Sequence, residues 1–204
     1  MLKRLLWIVD ANALAAEIVP AVLRAGVGWL QLRDPDVPLD VWRGQLEGWR
    51  VTGRGLDVVV NGGPDWAREA ACGAHLKAAQ GRLSSTQRMT WPLLGRSVHD
   101  VNETGRALND RPDYLVAGPV FATRSKPGHP GIDVPGLAEI VERAGHTPVL
   151  AVGGITPRRV LEVAGAGAAG VVVLSGITGA ADPEQAARAY LAALGEAFLP
   201  ADAG

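Results

Sequence analysis

The stretch PVLAVGGITPRRVLEVAGAGAAGVVVLSGI, residues 148–177, contains one full turn of a repeating plan. An apolar run over 148–154 ends in Gly153-Gly154. A helical pattern opens at Thr156-Pro157, and a second β-branched run over 170–175 ends in Ser175 and Gly176. Neither run alternates apolar with polar residues. Strands covered on both faces read this way, as they do in parallel sheets.

Outward from this unit the same plan recurs. Strand-like runs fall at 5–9, 28–33, 56–61, 74–77, 93–98 and 114–118. Helical patterns fall at 12–25, 39–50, 64–72, 99–109, 134–144, 156–165 and 183–195. In the last of these, Asp182-Pro183 is a helix start, and Ala186, Tyr190, Leu191 and Leu194 share a face. Eight strands alternating with helices predict an α/β fold, a (β/α)8 barrel of the TIM type, as a single domain over 1–204. The weakest segment is KAAQGRLSSTQRMTWP, 77–92, a polar stretch with room for one helical turn. A doubly wound open sheet is the competing fold. It needs fewer strands, and no GxGxxG motif follows the first strand to favour it.

Composition narrows the function. Twenty basic and twenty-one acidic residues give a net charge of −1, with no basic stripe, so neither nucleic acid nor a membrane surface is an expected partner. Cys72 is the single cysteine, which excludes a disulfide framework or a cysteine metal cluster. The opening MLKRLLWIVD is too short an apolar run for a signal peptide, and the cytoplasm is the expected compartment.

A barrel carries its chemistry at the C-terminal ends of its strands. Those ends supply Gln31 and Arg33, Asn61, His75, Ser97 and His99, then Gly118 with the loop GPVFATRSKPG, then Gly153-Gly154 and Ser175-Gly176. Glycines let backbone N–H groups approach a ligand, and helix N-termini favour anions. Gly153, Gly154, Ser175 and Gly176 therefore read as a phosphate cradle, against the plainer reading of a turn. Gln31 and Arg33 project to one side of their strand. Arg33 reads equally as a donor to an anion or as a rim partner of Asp34 or Asp36. Thr123, Ser125 and Lys126 lie in a loop, 122–131, that reads either as a ligand-covering flap or as solvated chain. His146 precedes a strand at the opposite end and reads as a surface residue. His129 lies in the flap, and His75 reads as a structural histidine. His99 alone joins a place at the mouth to a pKa suited to moving protons. No HExxH, no histidine pair at metal spacing, no carboxylate cluster and no GxSxG elbow are present, so neither metal nor cofactor is expected.

The segments QLRDPD, VVNGGPDWA, GAHL, LGRSVHD, DYLVAGPVFATRSKPG and PVLAVGGITPRRVLEVAGAGAAGVVVLSGI resemble, in that order, the thiamine phosphate synthase and TenI superfamily. The resemblance spans nearly the whole chain and implies the same barrel. In the synthase branch, which joins a pyrimidine pyrophosphate to a thiazole phosphate, Mg²⁺ neutralises the pyrophosphate. Two aspartates hold that ion, one in an Asn-Asp-Arg motif after the third strand and one in a Gly-Gln-x-Asp motif after the fourth. Here these read Asn61-Gly62-Gly63 and Lys77-Ala78-Ala79-Gln80, and Pro35 replaces a basic residue expected after Arg33.

The TenI-type thiazole tautomerases resemble the chain at those places, with Asn-Gly after the third strand and a GRSVH segment whose histidine is implicated in proton transfer. TRSKPG, in contrast, resembles the synthase loop. The expectation is thus a thiazole tautomerase. His99 would shuttle the proton, Gly153, Gly154, Ser175 and Gly176 would hold the phosphate, and Arg33 and Lys126 would hold the carboxylate. Gln31, Asn61, Ser97, Gly118, Thr123 and Ser125 complete the candidate lining. The expected partner is a phosphorylated thiazole. Members of the superfamily are often oligomeric, so a homo-oligomer is expected without a located interface. The alternatives are a thiamine phosphate synthase with a degenerate metal site, a non-catalytic binder of thiazole or thiamine phosphates, and a phosphate-sugar isomerase on the same scaffold.

Overall fold

A computed structural model describes residues 2–34, 36–123, 128 and 130–199. Among them, eight parallel strands close into a barrel in simple chain order: β1 (Leu5–Val9), β2 (Trp29–Leu32), β3 (Asp57–Asn61), β4 (Gly73–Leu76), β5 (Leu94–Val98), β6 (Tyr114–Ala117), β7 (Val149–Val152) and β8 (Gly170–Val173). β1 pairs with β8 through Leu5↔Val171, Leu6↔Val172 and Trp7↔Val173, which removes both sheet edges. The (β/α)8 expectation holds, and the open sheet is excluded.

Strand alternation sorts the side chains into two cores. Leu6, Ile8, Trp29, Val59, Tyr114, Val116, Leu150 and Val172 fill the barrel interior. Their outward neighbours, among them Trp7, Leu30, Leu32, Val60, Leu76, Leu94 and Leu115, pack under the helices. Most strands are therefore apolar on both faces, while β4 and β5 turn Gly73, His75, Gly95 and Ser97 inward, and this is why the strands read as nearly continuous runs.

The helices are α1 (Ala11–Ala15), α2 (Val19–Arg24), α3 (Leu39–Thr52), α4 (Asp65–Glu69), α5 (Ser85–Met89), α6 (Val101–Leu108), α7 (Asp133–Ala144), α8 (Val160–Gly165), α9 (Ser175–Thr178) and α10 (Pro183–Ala197), with a 3₁₀ turn at Pro157–Arg159. Two details differ from the periodicity, and the one helical turn that 77–92 had room for is present. The single helix expected over 12–25 is two, because Glu17 takes a left-handed φ of 52° and Pro20 opens the second. The segment 77–92 carries one short helix, α5, set by a reciprocal capping box between Ser84 and Gln87. β8 stops at Val173, so Ser175 and Gly176 begin α9 rather than end a strand. No helix among the described residues is long and apolar enough to cross a membrane.

Candidate active site

The side chains that turn into the barrel above its apolar floor are polar. Gln31 is 3% exposed, and its amide donates to Asn61 Oδ1 at 3.2 Å. In the β3–β4 register Asn61 lies opposite His75, and in the β4–β5 register His75 lies opposite Gly95. His75 is 2% exposed and bonded at both ring nitrogens: Nδ1 to Tyr114 Oη at 3.1 Å and Nε2 to Ser97 Oγ at 2.9 Å. This Tyr114–His75–Ser97 chain exists because residue 95 is glycine. A Cβ there would strike the Tyr114 ring and hydroxyl and His75 Nδ1.

Burial and the positive charges of Arg33 and Arg96 lower the His75 pKa to about 3, so the ring is neutral. Burial raises the Tyr114 phenol, which keeps its proton. A neutral imidazole donates from one nitrogen and accepts at the other. With Tyr114 donating to Nδ1, Nε2 donates to Ser97, and the serine hydroxyl keeps its own proton for a third partner. The same effect locates Arg33: its charge is felt at His75, although its side chain is exposed at the end of β2.

His99 stands one residue past β5. Its backbone N–H donates to Glu103 Oε2 at 2.8 Å, and its Nδ1 lies 2.8 Å from the same oxygen. Its side chain is 37% exposed, so Glu103 of α6 holds the ring at the rim. His146 is exposed before β7, as expected. Ser125, Lys126 and His129 lie outside the described residues. Thr123 is half-buried at the edge of that segment.

Gly153 and Gly154 have φ values of 99° and 64°. A Cβ at either would run into the loop after β6, at Pro119 or at Phe121 and Ala122. They are therefore required by close backbone packing as well as by the turn. Val120 and Phe121 N–H groups donate to Val152 and Gly153 carbonyls at 2.8 and 3.1 Å, and this draws the β6 and β7 loops together. Gly118 also belongs to this seam, where a Cβ would meet the Val152 carbonyl. Beside it, Ser175 and Gly176 occupy the first turn of α9, where backbone N–H groups have no intrahelical acceptor. Tyr190 of α10 donates to the Ile155 carbonyl at 2.9 Å, and Gly176 leaves room for its hydroxyl.

The sequence marks Tyr114 only as the start of a strand, His75 only as a structural histidine and Gln80 only as the residue at the second aspartate position. Pleat parity was the available signal for the first two: Tyr114 shares a face with Val116 and Gly118, and His75 shares one with Gly73. Gln80 gave no local signal, because its partner lies in another loop. Its Nε2 donates to the Gly62 carbonyl at 3.1 Å.

That bond bears on the metal the resemblance implies. Gly62 and Gln80 stand at the two aspartate positions and offer a carbonyl already engaged by an amide. Among the described residues no group of three His, Cys, Asp or Glu side chains could hold a metal ion. A hard divalent cation wants carboxylate oxygens, and this donor set does not fit one.

A family model described as thiamine monophosphate synthase matches residues 5–177. A thiamine-phosphate synthase of Roseiflexus castenholzii is 38% identical over 179 residues, covering 85% of this chain and 78% of that protein. The thiamine biosynthesis bifunctional protein ThiM/ThiE of Symbiobacterium thermophilum is 35% identical over 191 residues, covering 91% of this chain; the chain spans 40% of that protein's length. The solved structure of a thiamine phosphate pyrophosphorylase from Pyrococcus furiosus superposes with a TM-score of 0.83 at 26% identity, covering 96% of this chain and 97% of that one. These relatives correct the tautomerase expectation: the whole-chain likeness runs to proteins named as synthases. The tautomerase reading had rested on two short loops and the GRSVH segment. The chain belongs to the thiamine monophosphate synthase family.

Proposed function

We propose that the chain is a transferase of thiamine biosynthesis that joins a thiazole phosphate to a pyrimidine pyrophosphate. The observation that carries this reading is the 36–38% identity to proteins named thiamine-phosphate synthase, extending over 85% or more of the chain. In the step itself the thiazole ring nitrogen gives its lone pair to the methylene carbon of the pyrimidine. The bond from that carbon to the pyrophosphate oxygen breaks, and pyrophosphate leaves with the electron pair. The thiazole becomes a thiazolium, and no proton is transferred.

The protein's tasks are then to align two anionic substrates and to stabilise the charge that grows on the leaving group. Arg33 is a cation at the mouth for that charge. Gln31, Asn61 and Ser97 offer amide and hydroxyl groups for the edge of a heterocycle, and the seam of Gly153, Gly154, Ser175 and Gly176 takes the thiazole phosphate. His99 has no acid–base task in this reaction.

The test is incubation of the protein with the pyrimidine pyrophosphate and the thiazole phosphate, with and without MgCl₂, following thiamine phosphate and released pyrophosphate. The reading expects equal amounts of both products in at least one of the two conditions. No thiamine phosphate in either would overturn it.

A further inference from the structure

The two loop positions where the family would grip its metal are joined to each other. The Gln80 side chain donates to the Gly62 carbonyl, and its Oε1 lies 3.3 Å from the Lys77 N–H as an acceptor. The Gln80 backbone is fixed as well: its carbonyl accepts from the buried Arg96 guanidinium, which is paired with the buried Asp110. Asp110 also accepts from the Leu83 N–H at 2.9 Å. The amide is thus a built cross-link between the β3 and β4 loops.

The charges have changed in step. In the family pattern two carboxylates and one divalent ion sum to zero. Here both carboxylate positions are neutral, and the glycine of the Gly-Gln-x-Asp pattern is Lys77, which is exposed directly after β4. The net local charge is +1 with no ion bound. With the basic residue lost at Pro35 counted, Lys77 restores the same summed charge that an anion would face beside the metal-filled pair.

We propose that this chain binds its pyrophosphate-bearing substrate without a divalent cation, the Gln80–Gly62 bridge closing the metal positions while Lys77 and Arg33 supply the positive charge. The proposal rests on the synthase reading and adds to it the form of the substrate, free pyrophosphate ester rather than its magnesium complex. A charge-assisted contact is worth roughly tenfold or more in affinity.

Calorimetric titration of inorganic pyrophosphate into the protein, in EDTA and then in MgCl₂, tests it. Binding in EDTA is expected to be at least as tight as in MgCl₂, because magnesium complexes pyrophosphate in solution. Lys77→Ala, at an exposed site, is expected to weaken that binding about tenfold. Gly62→Asp combined with Gln80→Asp should invert the behaviour, with weaker binding in EDTA and stronger in MgCl₂. A Cβ at Gly62 meets nothing within 4 Å, so Asp has room there, although the left-handed φ of 82° strains any side chain and lowers the stability of the pair. A Gln80→Asp single variant covers failure of the pair to fold. The free-Mn²⁺ resonance signal with pyrophosphate present should be untouched by the wild-type chain and depleted by the double variant. Binding of pyrophosphate only with Mg²⁺, uptake of one Mn²⁺ per wild-type chain, or no pyrophosphate binding in either buffer would each overturn the proposal. Thiamine phosphate titrated in parallel separates the two levels. If it binds while pyrophosphate does not, only the metal-free proposal falls; if neither binds, the synthase reading falls too.

Discussion

His75 shows how one residue ties stability to the site. It read as a structural histidine in the sequence, and it is fully buried, but its bonds lead to Ser97 among the candidate lining residues. Its pKa is lowered to about 3 from the 6.5 expected in an unfolded chain. Between those values the unfolded state binds a proton that the folded state refuses. Stability must therefore fall as pH drops from about 6.5 toward 3, and His75 contributes no pH dependence above that window. The limiting slope is roughly 1.4 kcal/mol per pH unit. A His75→Gln variant should be less stable at pH 7 by about 1–3 kcal/mol, since a buried hydroxyl loses its partner. It should also lose stability less steeply than wild type on acidification. Urea midpoints from pH 7 to pH 4 check this; parallel curves would show that His75 does not titrate as described. Gly95→Ala makes the companion case. Its Cβ would overlap Tyr114 and His75, so a loss of about 1–3 kcal/mol is expected, measured by the same denaturation. A lone glycine in a strand reads as a weakness in sequence, and only the facing strands reveal what it accommodates.

At the scale of elements, the segment 77–92 was the least readable part of the chain, for a physical reason. α5 buries no side chain, so no apolar period marks it. The order of this segment comes instead from the Arg96–Asp110 pair, whose members are far apart in sequence and almost unexposed. Arg96 lies on the outward face of β5, between Leu94 and Val98, where the sequence reads as core. Its guanidinium reaches the carbonyls of Gln80 and Gly81 and the Asp110 carboxylate. Removing one partner strands a buried charge, and Asp110→Ala is expected to cost roughly 3–5 kcal/mol. Replacing both, as Arg96→Met with Asp110→Leu, should recover much of that global stability. It should leave the 80–83 loop unpinned and the Gln80–Gly62 bridge weakened. Chemical denaturation of the single and double variants measures the first effect, and protease sensitivity near Arg82 the second. A double variant as unstable as the single would show that the pair stabilises by something other than mutual compensation. The tight turn at Gly153-Gly154, in contrast, was readable, because its glycines and the helix start at Thr156-Pro157 are local signals.

For the whole molecule, the barrel followed from one feature of the sequence: apolar runs without alternation, spaced by helical patterns. That signal is strong where helices are long and cover the sheet, and weak where they are not. α6, α7, α8 and α10 bury Thr104 and Ala107, Leu137 and Ile140, Val160 and Val163, and Ala187, Tyr190 and Leu194. α4 and α5 are five residues each and between them bury Ala67 alone. The barrel is therefore well covered over β5–β8, and before β3 by α3 with Trp42, Leu46 and Trp49, but thinly covered around β4, the side that bears Gly62, Lys77 and Gln80. Local opening follows sparse apolar burial. Native-state hydrogen exchange should show amides of α4 and α5 exchanging through local openings that respond little to denaturant. Amides of β5–β8 should exchange only through global unfolding, with protection that falls steeply as denaturant rises. Because Gln80 lies between α4 and α5, pyrophosphate added in EDTA should raise protection there first if the loop is where the anion is held. Uniform protection around the barrel would mean that the ring of strands behaves as a single cooperative unit, and that the thin helical cover has no bearing on how the anion loop opens.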